Sequence, residues 1–548
     1  MLLRLFSYGV ATACLSLSSF ATNANLQPVS ALFSDDVETY ASHAIDEYHQ
    51  LVAHIDPLTQ ALIVSSMSNS MSSSTSINSA SISQSMTEQY RTGLPQADVE
   101  TLCLFEDKHG IGVFMFDARG MAQQHYLYQK ATKTWQHTAL REFAMGGEPE
   151  YCTVDNASGQ IFIAEEGIGV WQMSVAPESE LSRYLAPLPL DEDTVSISLI
   201  SAEKAALTDE IGMVFPFDVQ PVENERDDLP MLVVDGQTDP VQRFGDAADD
   251  PAIWVDSKSP AKSLIIGTDK KAGLDVFDLN GQRLQHLPIG KVNNVDVRQS
   301  VRFGQQTMDL AVASNRTGNT LSVFNIDVMT RQVSHVADLP TPLTDAYGLC
   351  LYQPEQGLEV FINDTDGRYL RYKLNVNKGE FSASLMEQFE VPSQPEGCVA
   401  DDTHQQLIYG EEAAGIWLRN IAEVGSASIK VANLSEKVHA DIEGMDMYHI
   451  DDLRYLVASS QGNDSYAVYA IDDDFRWLGS FRIAPNFNKG IDGASETDGL
   501  AISSVNLGKA FPYGLLVVQD GRNVMPSNKQ NFKLVSGAKV REFILNHR

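Results

Sequence analysis

The sequence contains an internal repeat, which restricts the chain to folds that can be built from copies of one unit. The segment EPEYCTVDNASGQIFIAEEGIGVW, beginning at Glu148, aligns with QPEGCVADDTHQQLIYGEEAAGIW, beginning at Gln394. The offset stays at 246 residues as far as Trp171 and Trp417. A constant offset over this length indicates a partial duplication.

Four cysteines follow the same repeat. Cys103 and Cys152 lie 49 residues apart, and Cys350 and Cys398 lie 48 apart, within the similar segments LCLF and LCLY. Four cysteines allow three connectivities, and the duplication favours one disulfide in each copy. Each bridge would stabilise the fold by roughly 4 kcal/mol in the chain-entropy model.

The first 24 residues predict an export signal. Arg4 precedes an apolar stretch, and the small residues Ala21 and Ala24 mark plausible cleavage points. Serines break the apolar stretch, which is too short to span a bilayer, so a membrane anchor is the less favoured alternative. We expect an exported protein, periplasmic or secreted, without stable membrane insertion.

A chain of 548 residues exceeds one ordinary core, and we expect two folded units. The polar segment PVENERDDLP, residues 221–230, is bracketed by prolines and marks a boundary between residues 25–230 and residues 231–548. Residues 65–86 are serine-rich without periodicity and predict a flexible segment. The segment before them suits a helix or paired strands equally.

From residue 231 onward, short apolar or alternating runs such as SLIIGTD, GLDVFDL and TLSVFNID predict an all-β unit. Gly, Asn, Asp and Pro separate these runs at the rhythm of strands and turns. Roughly twenty short strands over about 310 residues, without a convincing helix, favour a β-propeller. A two-sheet sandwich or a pair of barrels is the alternative.

The charge balance excludes some partners. The chain has 73 acidic and 39 basic residues, a formal charge of −34, and should repel nucleic acid and anionic lipid. We therefore expect no nucleic-acid partner. A calcium-loaded protein would carry the same excess, although by composition alone plain solubility explains it better.

Acidic residues recur at the ends of the predicted strands. They are Asp246, Asp249, Asp250, Glu396, Glu411, Glu412, Asp441, Glu443 and Asp498. One such turn is usually a capping group, but a propeller gathers the equivalent ends of all its blades around one opening. Because no histidine or cysteine cluster competes, oxygen-only ligation predicts calcium.

Several cations stand near these turns, namely Lys270, Lys271, Lys291, Arg298 and Arg316. Cations beside a carboxylate-bound metal suit a phosphate ester, whose developing charge needs stabilisation on several oxygens. Each lysine alone is more simply a solvated surface residue. The chain lacks a P-loop and the signatures of histidine acid and cysteine phosphatases, so phosphate chemistry would depend on metal-bound water.

The motifs DAADDPAIW, TDKKAGLDVFDLNG, GKVNNVDVR, ASNRTGNT, PEGCVADD, YGEEAAGIW, DIEGM and SETDGL closely resemble the β-propeller phytases. The likeness runs from about Asp246 to Lys533. It implies an all-β fold, with a six-bladed propeller in residues 231–548 and a partial, mainly β copy of the same family before it. It also implies calcium-dependent hydrolysis of inositol hexakisphosphate (phytate) and other inositol phosphates. We expect a monomer.

The resemblance further implies roles for individual residues. The calcium ligands would be Asp249, Asp250, Glu396, Glu412, Asp441, Glu443 and Asp498. Four of these are also the catalytic candidates: Glu396, Glu412, Asp441 and Glu443. The substrate-binding candidates are Lys270, Lys271, Arg316, Tyr347 and Asp366.

The chain departs from the family at one position. In the segment NDTDG the family commonly has a lysine where this sequence has Thr365, followed by Asp366. A phosphate contact is then missing, unless Arg368 reaches the same phosphate.

The N-terminal copy is incomplete. It retains Glu150, Glu165 and Glu166, but it has Glu100 near the position of Tyr347 and lacks the DDPAIW and TDKK segments. It is predicted not to be an independent phytase. Two other functions compete for the whole chain: a noncatalytic inositol-phosphate-binding propeller, and a calcium-dependent propeller lactonase.

Overall fold

The computed structural model describes residues 14–15, 40–44, 49–56, 59–71, 82–93, 99–179, 182–189, 193–221 and 229–548. Two compact units make up the chain: residues 1–226 with 524–527, and residues 227–523 with 528–548. Most of the predicted export signal and most of the predicted boundary segment lie outside the described residues.

The C-terminal unit is a six-bladed β-propeller, and each blade is one small antiparallel sheet. Blade 1 contains Ala248–Trp254, Leu264–Asp269, Gly273–Asp278 and Arg283–Leu287; blade 2 contains Val292–Phe303, Gln306–Asn315, Thr320–Ile326 and Val333–Pro340; blade 3 contains Ala346–Tyr352, Leu358–Asp364, Arg368–Asn377 and Glu380–Glu390. Blade 4 contains Pro395–Asp401, Gln406–Glu411, Gly415–Asn420 and Ser428–Asn433; blade 5 contains Met445–Ile450, Leu453–Ser460, Ser465–Ala470 and Arg476–Ala484; blade 6 contains Leu500–Ser503, Leu515–Asp520 and Asn531–Ser536.

Residues that precede blade 1 close the ring. Gly236–Gln237 pairs antiparallel with Asn531–Ser536 and supplies the outermost strand of blade 6. Met231–Val233 adds a parallel strand to the edge of blade 5. The closing strand of the last blade therefore comes from the start of the unit.

The core of this unit is divided among the blade junctions. Six apolar clusters lie one between each pair of neighbouring blades, including blades 6 and 1. The cluster between blades 3 and 4 contains Cys350 and Cys398, whose Cα atoms are 5.7 Å apart and which form a disulfide. This pairing is the one that the repeat favours.

One α-helix, Gly537–His547, follows blade 6 and was not foreseen from the sequence. The side chain of Ser536 accepts a hydrogen bond from the backbone N–H of Ala538 at 3.3 Å and caps the helix. Val540, Phe543 and Ile544 are buried at helical spacing. Two 3₁₀ turns, Pro260–Lys262 and Gln461–Asn463, complete the described helices, none of which is long and apolar enough to cross a membrane.

The described residues of the N-terminal unit form four sheets. The strands are Cys14–Leu15, Tyr40–Ala44, His49–Ile55, Ala61–Met71 and Ile82–Gly93; then Val99–Glu106, Gly110–Asp117, Met121–Gln129 and Thr134–Ala144; then Pro149–Asp155, Gln160–Glu165, Gly169–Ser174 and Tyr184–Pro187; and finally Thr194–Ser201, Lys204–Asp209 and Val214–Asp218. Cys103 and Cys152, the second predicted pair, lie at a Cα distance of 5.9 Å in a disulfide. The first three strands of the third sheet match those of blade 4 at the sequence offset.

The serine-rich segment differs in part from its prediction. Ala61–Met71 and Ile82–Gly93 pair as antiparallel strands, so residues 65–71 and 82–86 are not flexible loop, while residues 72–81 lie outside the described residues. The hydrogen bonds between paired strands satisfy the backbone N–H and C=O groups whatever the side chains are. Met67, which is 1% exposed, gives this strand a buried face. The segment before it forms paired strands rather than a helix.

Candidate functional site

The first strands of blades 1 to 4 carry the same irregularity near their beginnings. In each, the pairing register with the second strand skips two residues: Asp249 and Asp250, Asn293 and Asn294, Tyr347 and Gly348, or Glu396 and Gly397. Such bulges commonly redirect a side chain beside an active site. In blades 5 and 6 the equivalent pairs, Glu443 and Gly444 or Asp498 and Gly499, directly precede the first strand.

One residue of each pair therefore stands at the same end of each blade. We call these six residues the first ring: Asp249, Asn293, Tyr347, Glu396, Glu443 and Asp498. Neighbouring members are forced together, because a Cβ at Gly348 would overlap the carbonyl oxygen of Glu396, and one at Gly397 that of Glu443. Glycine after the ring residue allows the next blade to approach.

A second set of residues follows the last residue of the second strand in each blade. We call it the second ring: Lys270, Arg316, Thr365, Glu412, Gln461 and Gly521. Its backbone is bonded to the residue just before the first strand, since the N–H of Lys270 donates to the carbonyl of Ala247 at 2.7 Å and that of Glu412 to the carbonyl of Gln394 at 3.0 Å. The charges are unevenly distributed, with cations on blades 1 and 2 and an acid on blade 4.

The carboxylates of the two rings form two groups of metal-site geometry. Asp249, Glu396 and Asp498 make one group, and Glu396, Glu412 and Glu443 make the other, with ligand oxygens within 4.8 Å of one another in each. All five residues are buried. Glu396 belongs to both groups, so it links them into one acidic centre.

This concentration of buried carboxylates raises their pKa values. Burial, together with the neighbouring Glu396 carboxylate, raises the pKa of Glu412 to about 8 and that of Asp498 to about 6. Burial and Asp498 raise the pKa of Asp249 well above its usual range, as burial and Glu396 do for Glu443. The charged state is thus unfavourable unless a cation accompanies it.

Some carboxylate oxygens of the acidic centre also lack a hydrogen-bond donor. Oδ2 of Asp249 and Oε2 of Glu443 are buried without a hydrogen-bond partner. The amide of Asn293 donates to Oε1 of Glu396 at 2.6 Å, and that of Gln394 to Oε1 of Glu412 at 2.8 Å. Unsatisfied buried carboxylate oxygens in an all-oxygen cluster fit a hard divalent cation such as calcium.

Lys270 borders this centre on the blade 1 side. Its Nζ lies 2.8 Å from Oδ1 of Asp246 and 3.4 Å from Oδ2 of Asp498. Burial alone would lower its pKa, but the carboxylates of Asp249 and Asp498 raise it overall. The ammonium group therefore stays charged beside the acidic centre.

Arg316 and Tyr347 occupy the next two blades. The guanidinium of Arg316 makes two hydrogen bonds to Asp345, at 2.8 and 2.7 Å, and lies 5.3 Å from the centre of the Tyr347 ring. Burial, reinforced by the Glu396 carboxylate, raises the pKa of Tyr347 above its ordinary value. The Tyr347 hydroxyl remains a proton donor at the edge of the acidic centre.

Asn293 is the member of this arrangement that sequence reasoning missed. Its amide donates to Glu396, and its Oδ1 accepts from Nη1 of Arg316 at 3.2 Å, so it joins the acidic and basic sides. The Asn293–Asn294 pair lies near the start of its strand as Asp249–Asp250 does in another, and this correspondence could have identified it.

Two predicted ligands lie at the border of the centre. Oδ2 of Asp250 accepts from the backbone N–H of Val295 at 3.2 Å, and Asp250 lines a cavity of about 190 Å³ between the first strands. Asp441 is half-buried and close enough to Glu412 to contribute to its raised pKa. Neither belongs to the two carboxylate groups among the described residues.

Two predicted substrate ligands are held apart from the carboxylate groups. Nζ of Lys271 donates to the carbonyl of Phe244 at 2.9 Å. Asp366 is exposed and pairs with Arg368 at 2.8 Å, and Arg368 is also bound by Asp364 at 2.8 Å. Arg368 is therefore engaged by two carboxylates.

Arg298, a predicted cation near the acidic turns, links neighbouring blades. It is bonded to Asp296 at 3.0 Å, to Asp402 at 2.9 Å and to the carbonyl of Leu351 at 2.6 Å. These contacts tie blades 2, 3 and 4 together.

A closed propeller with an acidic, cation-flanked centre defines a class of β-propeller enzymes, and comparison with known proteins places this chain within it. Residues 194–547 match the family model described as Phytase. The 3-phytase of Bacillus subtilis is 37% identical over 322 residues, which cover 56% of this chain and 84% of that protein. The chain belongs to the β-propeller phytase family and is a phosphate-ester hydrolase.

Solved structures also align with this chain. A functionally unknown protein from Desulfotomaculum acetoxidans aligns with 60% of this chain and 94% of its own, at 11% identity and a TM-score of 0.31. A score this low supports no inference.

Proposed function

We propose that the C-terminal unit hydrolyses phosphomonoesters of phytate in a calcium-dependent reaction, giving lower inositol phosphates and inorganic phosphate. The observation that carries this proposal is the pair of carboxylate groups sharing Glu396, with unpartnered oxygens on Asp249 and Glu443, beside Lys270 and Arg316. An acidic chain needs such a centre to attract a polyanion.

The carboxylates that would hold calcium are Asp249, Glu396, Glu412, Glu443 and Asp498, with Asp250 and Asp441 at the border. Calcium bound there would offset phosphate repulsion and favour attack by water on phosphorus. Lys270 and Arg316 would bind phosphate oxygens as permanent cations, and Arg316 can do so with a planar fork. The Tyr347 hydroxyl would donate a hydrogen bond to a phosphate oxygen.

The test is phosphate release from phytate by the purified chain at neutral pH, with calcium or with excess chelator, alongside a Glu443→Ala variant. Release that requires both calcium and Glu443 is the expected result. Calcium-dependent binding without release would instead make the chain a binding propeller, and lactone cleavage without phosphate release would contradict the proposal.

We propose that Thr365 makes phosphate binding at blade 3 weaker than a lysine would. The Thr365 side chain is neutral, and the guanidinium of Arg368 is already paired with carboxylates. Thr365→Lys should lower KM for phytate roughly 3- to 10-fold, the size of one charge-assisted contact, with little change in kcat. Steady-state kinetics in calcium measures this change. Thr403→Lys adds the same charge on an exposed turn of blade 4 and should leave KM unchanged; equal effects of both variants would show a general charge effect.

We infer that the N-terminal unit, residues 25–230, is not an independent phytase. Its described sheets contain Glu150 at a bulge that skips one residue instead of the two of the first ring, and the sequence there lacks segments equivalent to Asp249, Lys270 and Asp498. Purified residues 25–230 should release no phosphate from phytate, while residues 231–548 should do so with calcium. Turnover by the N-terminal unit alone would contradict this assignment.

We further infer that the chain is exported and monomeric. The early cation, the short apolar stretch and the small residues of the first 24 positions support export. Sequencing of the mature N-terminus and light scattering of the purified protein test these two points.

A further inference from the structure

A cluster of cations around an exposed aromatic ring lies beside the acidic centre. Phe244 is 76% exposed, although it belongs to a well-packed propeller. Nζ of Lys529 lies 4.8 Å from the centre of its ring and donates to the carbonyl of Gln242 at 3.2 Å. Arg243 is exposed next to it, and Nζ of Lys271 donates to the Phe244 carbonyl at 2.9 Å.

The cations of this cluster have no ion pair with any described residue. Within the described part of the chain, the side chains of Arg243, Lys271 and Lys529 make no salt bridge to a carboxylate, whereas Lys270 and Arg316 do. In a protein of charge −34, three cations without carboxylate partners at one place form a local positive surface. Such a surface attracts anions.

The backbone that presents the cluster is firmly held. The side chain of Gln530, which is buried, accepts from the N–H groups of Ala247 and Ala248 at 2.6 and 2.9 Å. The buried carboxylate of Asp269 accepts from the N–H of Arg243 at 3.0 Å. Phe244 is therefore displayed by a fixed loop, and no hydrophobic side chain of the described residues covers it.

The same loop reaches the reaction centre. Asp246, two residues after Phe244, binds Lys270 at 2.8 Å, and Lys270 contacts Asp498. Lys271, the next residue, contacts the Phe244 carbonyl. A ligand bound between the first-ring and second-ring residues would thus meet this cluster on the side of blade 1.

We propose that Arg243, Phe244 and Lys529 form an outer platform that binds the phosphate groups of an inositol polyphosphate that are not being cleaved. The proposal rests on the proposed function and specifies which substrates the site prefers. The cations bind phosphates, and the Phe244 ring packs against the C–H face of the inositol ring. Substrates with many phosphates gain from the platform, whereas a monophosphate does not.

The test uses the full chain in calcium and compares Phe244→Ala, Lys529→Gln and their double variant with the wild type. KM for inositol hexakisphosphate should rise about 10-fold in the double variant, with kcat little changed. The KM of inositol monophosphate, or its inhibition constant if it is not cleaved, should stay the same. Lys430→Gln is the matched control, since Nζ of Lys430 lies 4.9 Å from the Trp417 ring and donates to the carbonyl of Ala414 at 3.2 Å.

An unchanged KM for the hexakisphosphate, or an equal change for both ligands, would overturn the platform. If the wild type releases no phosphate, the proposed function fails. Calorimetric titration with inositol hexakisphosphate then tests the platform by itself. The double variant should bind about 10-fold more weakly than the wild type in that titration, and equal dissociation constants would refute the platform.

Discussion

Glu396→Gln should reduce calcium-dependent phosphate release from phytate by roughly 100- to 1000-fold, because it removes charge from both carboxylate groups at once. Glutamine has almost the same shape, so the blades should still pack. In chelator the variant should be more stable than the wild type, since one of several mutually repelling buried carboxylates is gone. Activity assays and thermal unfolding, each with calcium and with chelator, measure the two effects.

The chain supplies a matched control for this variant. Glu411 is the adjacent buried glutamate of blade 4, but it accepts hydrogen bonds from Ser393 at 2.6 Å and from Trp417 at 2.9 Å and belongs to neither carboxylate group. Glu411→Gln should lower stability and leave kcat within a few-fold of the wild type. Equal loss of activity in the two variants would mean that the shared position of Glu396 has no special role.

In the absence of calcium, the C-terminal unit should become less stable as the pH rises from about 5 to 8. The folded-state pKa values of Asp498 and Glu412, about 6 and about 8, lie above those of an unfolded chain. Such groups stabilise the fold only while they are protonated, so this stability is present at low pH and is lost as the pH passes through each folded pKa. We expect the unfolding temperature in chelator to fall by on the order of 5–10 °C across this range.

With calcium the trend should disappear or reverse, because the ion favours the charged carboxylates. The gap between the unfolding temperatures with and without calcium should therefore widen with pH. Calorimetry from pH 5 to pH 8 measures this gap. A calcium-free protein that grows more stable toward pH 8 would show that these carboxylates do not repel one another.

The repeat and the strand rhythm predicted much of the fold, because both depend on local patterns. The duplicated cysteines gave the disulfide pairing, and the apolar runs gave an all-β propeller. The helix at Gly537–His547 was missed although Ser536 and the spacing of Val540, Phe543 and Ile544 indicate it. The serine-rich strands could not be foreseen, since their order comes from backbone pairing that composition does not show.

The site was predictable residue by residue only in part. Acidic turns at strand ends led to Glu396, Glu412 and Asp498, because a propeller gathers equivalent ends. Sequence could not show that Asn293 joins Glu396 to Arg316, or that Arg368 is already paired, since these contacts cross between blades or depend on side-chain direction. The same limit applies to Lys271, which points toward Phe244.

The strand Gly236–Gln237 has a consequence for how the protein is made. It is synthesised before any blade, yet its partner, Asn531–Ser536, is synthesised after every other strand. The circle of six blades can therefore close only after nearly the whole polypeptide has been made. Asp498 and Asp249 are not held together stably before then. Interrupted synthesis or C-terminal proteolysis should leave an open, inactive arc of blades, so the enzyme gains function late and in one step.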